Sequence, residues 1–81
     1  MKSFTKDEKY LITLYESAVA TGDPYADRNM YAIGEKLGMN PRTVNNIVKL
    51  LAQTTFVKKQ GGEEICLTPH GEKLVLRLLE Q

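Results

Sequence analysis

Apolar residues recur at helical spacing in the middle of the chain and again toward both ends, with one stretch of strand character between. Ile33 and Leu37 sit four apart and share one face of a helix that begins near Met30. Val44, Ile47, Val48 and Leu51 follow the i, i+3, i+4, i+7 spacing and make one stripe on a second helix at about 41–54. The residues between them are those a sharp turn requires. Gly38 follows the last periodic residue, where a left-handed backbone ends a helix at no steric cost to glycine. Asn40 is suited to cap the next helix, and Pro41 fits its first position, which needs no N–H. Gly34 is small where two such helices would cross most closely.

Met1 to Ser3 is expected to be a loose tail. Thr5 with Glu8 forms a capping box, and Asp7 and Glu8 suit the positive end of a helix dipole, so a helix opens at Thr5. Leu11, Leu14, Tyr15 and Ala18 are its core stripe, and it should end near Thr21, with Gly22 as the stop and Pro24 beyond. A loop follows over Gly22 to Arg28, with a short strand near Asp27 to Met30. Phe56 to Leu67 predicts two short strands around a Gly61-Gly62 turn. That register pairs Gln60 with Glu63, Lys59 with Glu64 and Lys58 with Ile65. Thr68 and Pro69 then cap a last helix whose Leu74, Val75 and Leu78 face the core. Ile12 and Val19 on the first helix, and Leu76 and Leu79 on the last, fall outside these stripes. Two apolar strips on the terminal helices point to a partner surface, and a homodimer through those helices is the expectation.

Length fits one domain over residues 1–81 with a small core. Net charge is only +1, a weak sign for a nucleic-acid binder, but its distribution is uneven. From Arg28 to Lys59 there are six basic residues and one acid, Glu35, a net of +5, while the remaining residues net −4. Cations are thus gathered on the central helices and the strand after them, a pattern that suits phosphate.

The order helix, helix, helix, hairpin, helix, with the residues just named, resembles a winged helix-turn-helix, an α+β and mainly α fold. Taking Met30 as the first place of the helix-turn-helix pattern, Ile33, Gly34, Leu37, Gly38, Met39, Val44 and Ile47 fill its apolar, small and glycine places. Leu67-Thr68-Pro69-His70-Gly71 is similar to the Leu-Thr-x-x-Gly segment after the wing in bacterial and phage transcription regulators of the multiple-antibiotic-resistance-regulator type. Two departures stand out. Such families often have a glycine before the wing strand, where this chain has Thr54-Thr55-Phe56, and a basic wing tip, where this chain has Gly61-Gly62-Glu63-Glu64.

The resemblance implies double-stranded DNA as partner and the helix at 41–54 as the reader. Its outer side carries Arg42, Asn46, Lys49 and Gln53, flanked by Thr43 and Asn45, and no Asp or Glu occurs from Met39 through Thr55. Arginine can bond guanine O6 and N7 together, and asparagine or glutamine can pair with adenine N6 and N7. Arg42, Thr43, Asn45 and Asn46 are therefore the candidates for base edges and Lys49 for the backbone. Arg28, Lys36, Lys58 and Lys59 are candidates for flanking phosphates. Glu64 opposite Lys59 would blunt the wing, so a weak wing contact is expected.

The residues favour no enzyme and imply no cofactor. One histidine, His70, and one cysteine, Cys66, do not make a metal or redox set, and one cysteine cannot form an internal disulfide. No apolar run has the length of a membrane span or the form of a signal-peptide core, which leaves a cytoplasmic location as the expectation. The rival to DNA binding is a winged helix used as a protein-interaction module, favoured by low net charge, the acidic wing tip and the apolar strips.

Overall fold

A computed structural model describes residues 3–80. Met1 and Lys2, read above as part of a loose tail, lie outside the described residues. The elements run α1 (Lys6–Val19), β1 (Arg28–Asn29), α2 (Met30–Lys36), α3 (Pro41–Gln53), β2 (Val57–Gly61), β3 (Glu64–Leu67) and α4 (Pro69–Leu79). The three strands form one antiparallel sheet in the order β1-β3-β2. This is a winged helix-turn-helix.

The capping signals operate as the residues imply. Thr5 Oγ1 accepts from the Glu8 amide while Glu8 Oε1 accepts from the Thr5 amide, the reciprocal box that starts α1. Asn40 Oδ1 accepts from the Thr43 amide and starts α3; Thr68 Oγ1 accepts from the Gly71 amide and starts α4. β1 passes straight into α2, whose cap is Asn29: its Oδ1 accepts from the amides of Tyr31 and Ala32. α1 ends at Val19, two residues earlier than the glycine stop suggests.

Helices α1, α2 and α3 and the inner sheet face enclose one core around Leu11, Leu14, Ile33, Val44, Val48, Ile65 and Leu67, with Val75 of α4 closing it. Tyr10, not anticipated as core, is wholly buried, and its hydroxyl donates to the Met30 carbonyl at 2.7 Å. Ser17 is also buried, and its hydroxyl is satisfied by the Arg28 guanidinium, which donates through Nε at 3.1 Å and ties β1 to α1. Outside the core, the Tyr25 hydroxyl donates to Glu72 and holds the loop after α1 against α4.

The wing register differs from the one the glycine pair suggests. Val57 pairs with Leu67, Lys58 with Cys66, Lys59 with Ile65 and Gly61 with Glu64, with a bulge between Lys59 and Gly61. The turn is therefore Gly62-Glu63, one residue further on, and Gly62 supplies the positive φ of 56° at its first position. Burial decides this. The observed register puts Val57, Ile65 and Leu67 on one face, all of them buried, whereas a one-residue slip would turn one strand over.

α3 ends in a full Schellman motif: the Phe56 amide bonds the Leu51 carbonyl and the Thr55 amide bonds the Ala52 carbonyl. Its left-handed position is Thr55, at φ 63°, where a branched side chain is strained. It lies just before the wing strand, where the resembling families often have a glycine. Thr55→Gly should raise stability by about 1 kcal/mol, since relief of a left-handed side chain outweighs the added freedom of the unfolded chain. An increased urea midpoint with unchanged slope checks it; a lower midpoint contradicts the strain.

Burial raises the Tyr10 phenol well above its ordinary value of 10.0, and Tyr31 adds to the effect. Below about pH 10 the phenol is neutral in both folded and unfolded chains and its contribution is whole. As pH climbs further the unfolded chain releases the proton first, so stability falls through that alkaline range. Tyr10→Phe should cost about 1 kcal/mol at neutral pH, from the lost hydrogen bond. It should also flatten the alkaline fall seen in denaturant titrations at successive pH values.

Candidate nucleic-acid interface

The position of α3 is set by how closely α2 can approach it. A Cβ built on Gly34 would overlap Cγ2 of Val44, so at this spacing any side chain there would force the valine to shift. The turn between them is a second Schellman motif, with Gly38 at φ 71° and the Met39 amide bonding the Gly34 carbonyl at 2.9 Å. With Val44, Ile47, Val48 and Leu51 buried, α3 has one remaining side to show to solvent.

That side carries Arg42, Asn45, Asn46, Lys49 and Gln53, all exposed. Arg42, Asn46, Lys49 and Gln53 lie at i, i+4, i+7 and i+11, a nearly straight line along the helix. Thr43 is half-buried at the capped end. Asn45 is held: the Tyr31 hydroxyl on α2 donates to its Oδ1 at 2.7 Å. That bond leaves the Asn45 amide group directed by a fixed oxygen, at less rotamer cost on binding. Tyr31 was not identifiable from the sequence, because nothing in the spacing of α2 marks a tyrosine that reaches across to α3. Leu50 also escaped notice; it is 45% exposed beside the polar line.

The flanking cations fall in three places. Lys36 is exposed in the last turn of α2. Arg28 is half-buried and already bonded to Ser17, so part of its guanidinium serves the fold. Lys58 and Lys59 are exposed on β2 but alternate in direction. Lys59 stands in one cross-strand row with Ile65 and Arg28, while Lys58 shares the other face with Cys66. Glu64 pairs with Gly61 and is not opposite Lys59, so the expected neutralisation of that lysine does not occur. Glu63 is turned back to the body, its Oε1 accepting from the Asn29 side chain at 3.2 Å and its carbonyl accepting from the Met30 amide at 2.8 Å.

Of the apolar strips, Val19, Leu76 and Leu79 are 43%, 42% and 47% exposed. Ile12 is not part of a free strip: it is half-buried and packs on the core. His70 stacks on Phe56 with ring centroids 4.7 Å apart, and the buried Cys66 thiol accepts from the Gln60 side chain. Among the described residues no group of three or more His, Cys, Asp and Glu is placed to hold a metal. No helix among them is long and apolar enough to cross a membrane.

No protein-family model and no curated protein matches the chain. Among solved structures, a crystal structure of T. acidophilum IdeR is similar over 98% of this chain, with a TM-score of 0.76 and 24% identity. The chain spans 35% of the length of that protein. The likeness supports the winged helix-turn-helix architecture and not the multiple-antibiotic-resistance-regulator subtype.

If the Tyr31 hydroxyl positions Asn45, Tyr31→Phe will free that side chain without unfolding the domain. Side-chain amide NMR relaxation should then show greater fast motion for Asn45 than for Asn46, which has no such tie. An unchanged Asn45 signal would mean that the bond does not order it.

Proposed function

We propose that this chain binds double-stranded DNA with α3 in the major groove and serves as a sequence-specific transcription regulator. The observation that carries the reading is the outward face of α3. It presents an arginine, two asparagines, a lysine and a glutamine in the open, with no carboxylate in the chain from Met39 to Thr55. Arg42, Asn45 and Asn46, in the N-terminal half, are the base-edge residues, and Thr43 stands beside them at the capped end. Lys49 and Gln53 lie further along toward the backbone. Lys36 and the free part of Arg28 would meet phosphates beside the groove. The wing contributes less than α3: Lys58 and Lys59 border the C-terminal end of α3, away from the base-edge residues.

Such a regulator reads a palindromic site as a two-fold dimer, with recognition helices about one helical turn apart. Val19, Leu76 and Leu79 are the residues we assign to that contact; Ile12 is half-buried on the core. A second reading has its own support. Leu50 stands exposed beside the polar line of α3, and with the exposed leucines of α4 it suits a protein-interaction module that does not touch DNA.

Fluorescence anisotropy of a labelled random duplex at low and then moderate salt separates the two. DNA binding predicts affinity in the ordinary non-specific range, a dissociation constant of about 10⁻⁴ to 10⁻⁶ M at physiological salt, that falls steeply as salt rises. Arg42→Ala with Lys49→Ala should abolish most of it, while Lys58→Ala with Lys59→Ala costs less than Arg42→Ala alone. No binding at tens of micromolar in low salt would overturn the DNA reading in favour of the interaction module.

A further inference from the structure

Lys6 and Lys9 are exposed, one turn apart on α1, and counting charge along the chain assigns them to its acidic remainder. Folding places them elsewhere. Both border a depression of about 410 Å³ whose other walls include Leu37, Gly38, Asn40 and Thr43, the turn into α3 and its first residues. The acids of the same turn of α1 do not share this location. Asp7 and Glu8 border a separate depression with Leu11, Leu50, Leu51 and Leu74, toward the far end of α3 and α4, and Glu8 is engaged in the α1 cap. The first turn of α1 is thus sorted by sign, with its lysines toward the start of α3.

We propose that Lys6 and Lys9 form a phosphate-binding element that holds the DNA backbone at the N-terminal end of α3. This rests on the reading of α3 as the recognition helix. The wing lysines border a depression with Ala52 and Thr55, at the C-terminal end of α3. α3 has 13 residues and is about 20 Å long. The base-edge residues Arg42, Asn45 and Asn46 lie in the N-terminal half of α3, so the phosphates flanking the bases they read run close to its start. Cations beyond the start of α3 would meet the backbone on the side the wing does not serve. Ammonium groups on flexible stems suit a phosphate row, and such contacts fix register without reading sequence.

The test compares three double variants, each losing two positive charges: Lys6→Ala/Lys9→Ala, Arg42→Ala/Lys49→Ala and Lys73→Ala/Arg77→Ala. The last pair borders a depression with Phe56 and His70 on α4 and controls for net charge alone. Anisotropy titrations over a salt series, on several duplex sequences, give affinity and its salt slope. Loss of two phosphate contacts should shallow the slope of log K against log salt by about 1.8. Binding at low salt should weaken about tenfold or more, equally on every sequence, with thermal melts unchanged. The α4 pair should bind within about twofold of the parent chain. If Lys6→Ala/Lys9→Ala behaves like the α4 pair while Arg42→Ala/Lys49→Ala loses binding, this inference is wrong and the recognition helix stands. If the parent chain shows no salt-dependent binding, both fall together.

Discussion

The contact between Gly34 and Val44 governs the geometry of this molecule. Close packing leaves no room for a side chain at Gly34, so the backbone of α2 rests directly on α3. The turn that joins them has its own hydrogen bonds, from the Met39 and Gly38 amides back to Gly34 and Glu35. Angle and connection are therefore fixed by neighbouring residues. Because Val44 is also the first buried residue of the α3 stripe, the same contact sets how α3 is rotated. Which side chains reach solvent follows from that rotation.

A second joint fastens the other end of α3. The Thr68 hydroxyl donates its one proton to the Thr55 carbonyl at 2.6 Å, with the Phe56 carbonyl also in range at 3.1 Å, and accepts from the Gly71 amide, linking the end of α3, the wing and the start of α4. Gly71 is required there for the same reason as Gly34: a Cβ would run into the Phe56 carbonyl. The Leu-Thr-x-x-Gly segment is thus a device for bringing α4 against the strand entry. The strain at Thr55 sits inside this joint, where several hydrogen bonds hold the backbone in place.

Between the two joints α3 is held as a rigid bar with an uncharged-to-basic outer face. Tyr31 extends that order to one of its side chains. The sheet contributes differently. Its cross-strand row of Arg28, Ile65 and Lys59 places two cations beside a core residue, and Arg28 is partly engaged in fastening β1 to α1. The wing braces the core, with Val57, Ile65 and Leu67 buried against it. Its tip is bonded back to Asn29 through Glu63, which accounts for an acid in a position where related folds often carry a base.

Local rules written in consecutive residues determined much of this. Caps at Thr5, Asn40 and Thr68, the glycine stop at Gly38 and the stripes of α3 and α4 depend on neighbours within one or two turns, so they are legible without a fold. The polar face of α3 was legible for the same reason, as the complement of its stripe. The hairpin register was not, because two adjacent glycines allow two turns, and the burial of Val57, Ile65 and Leu67 chooses between them. Nor were Tyr10 to Met30, Arg28 to Ser17 and Tyr31 to Asn45, each a bond between residues more than ten positions apart. Helical spacing says which residues share a face and not which faces are covered, so half-buried Ile12 and exposed Val19 looked alike. The same limit hid Lys6 and Lys9: charge counted along a chain ignores which element folds beside which, and only the packing of α1 against the turn brings them to the start of α3.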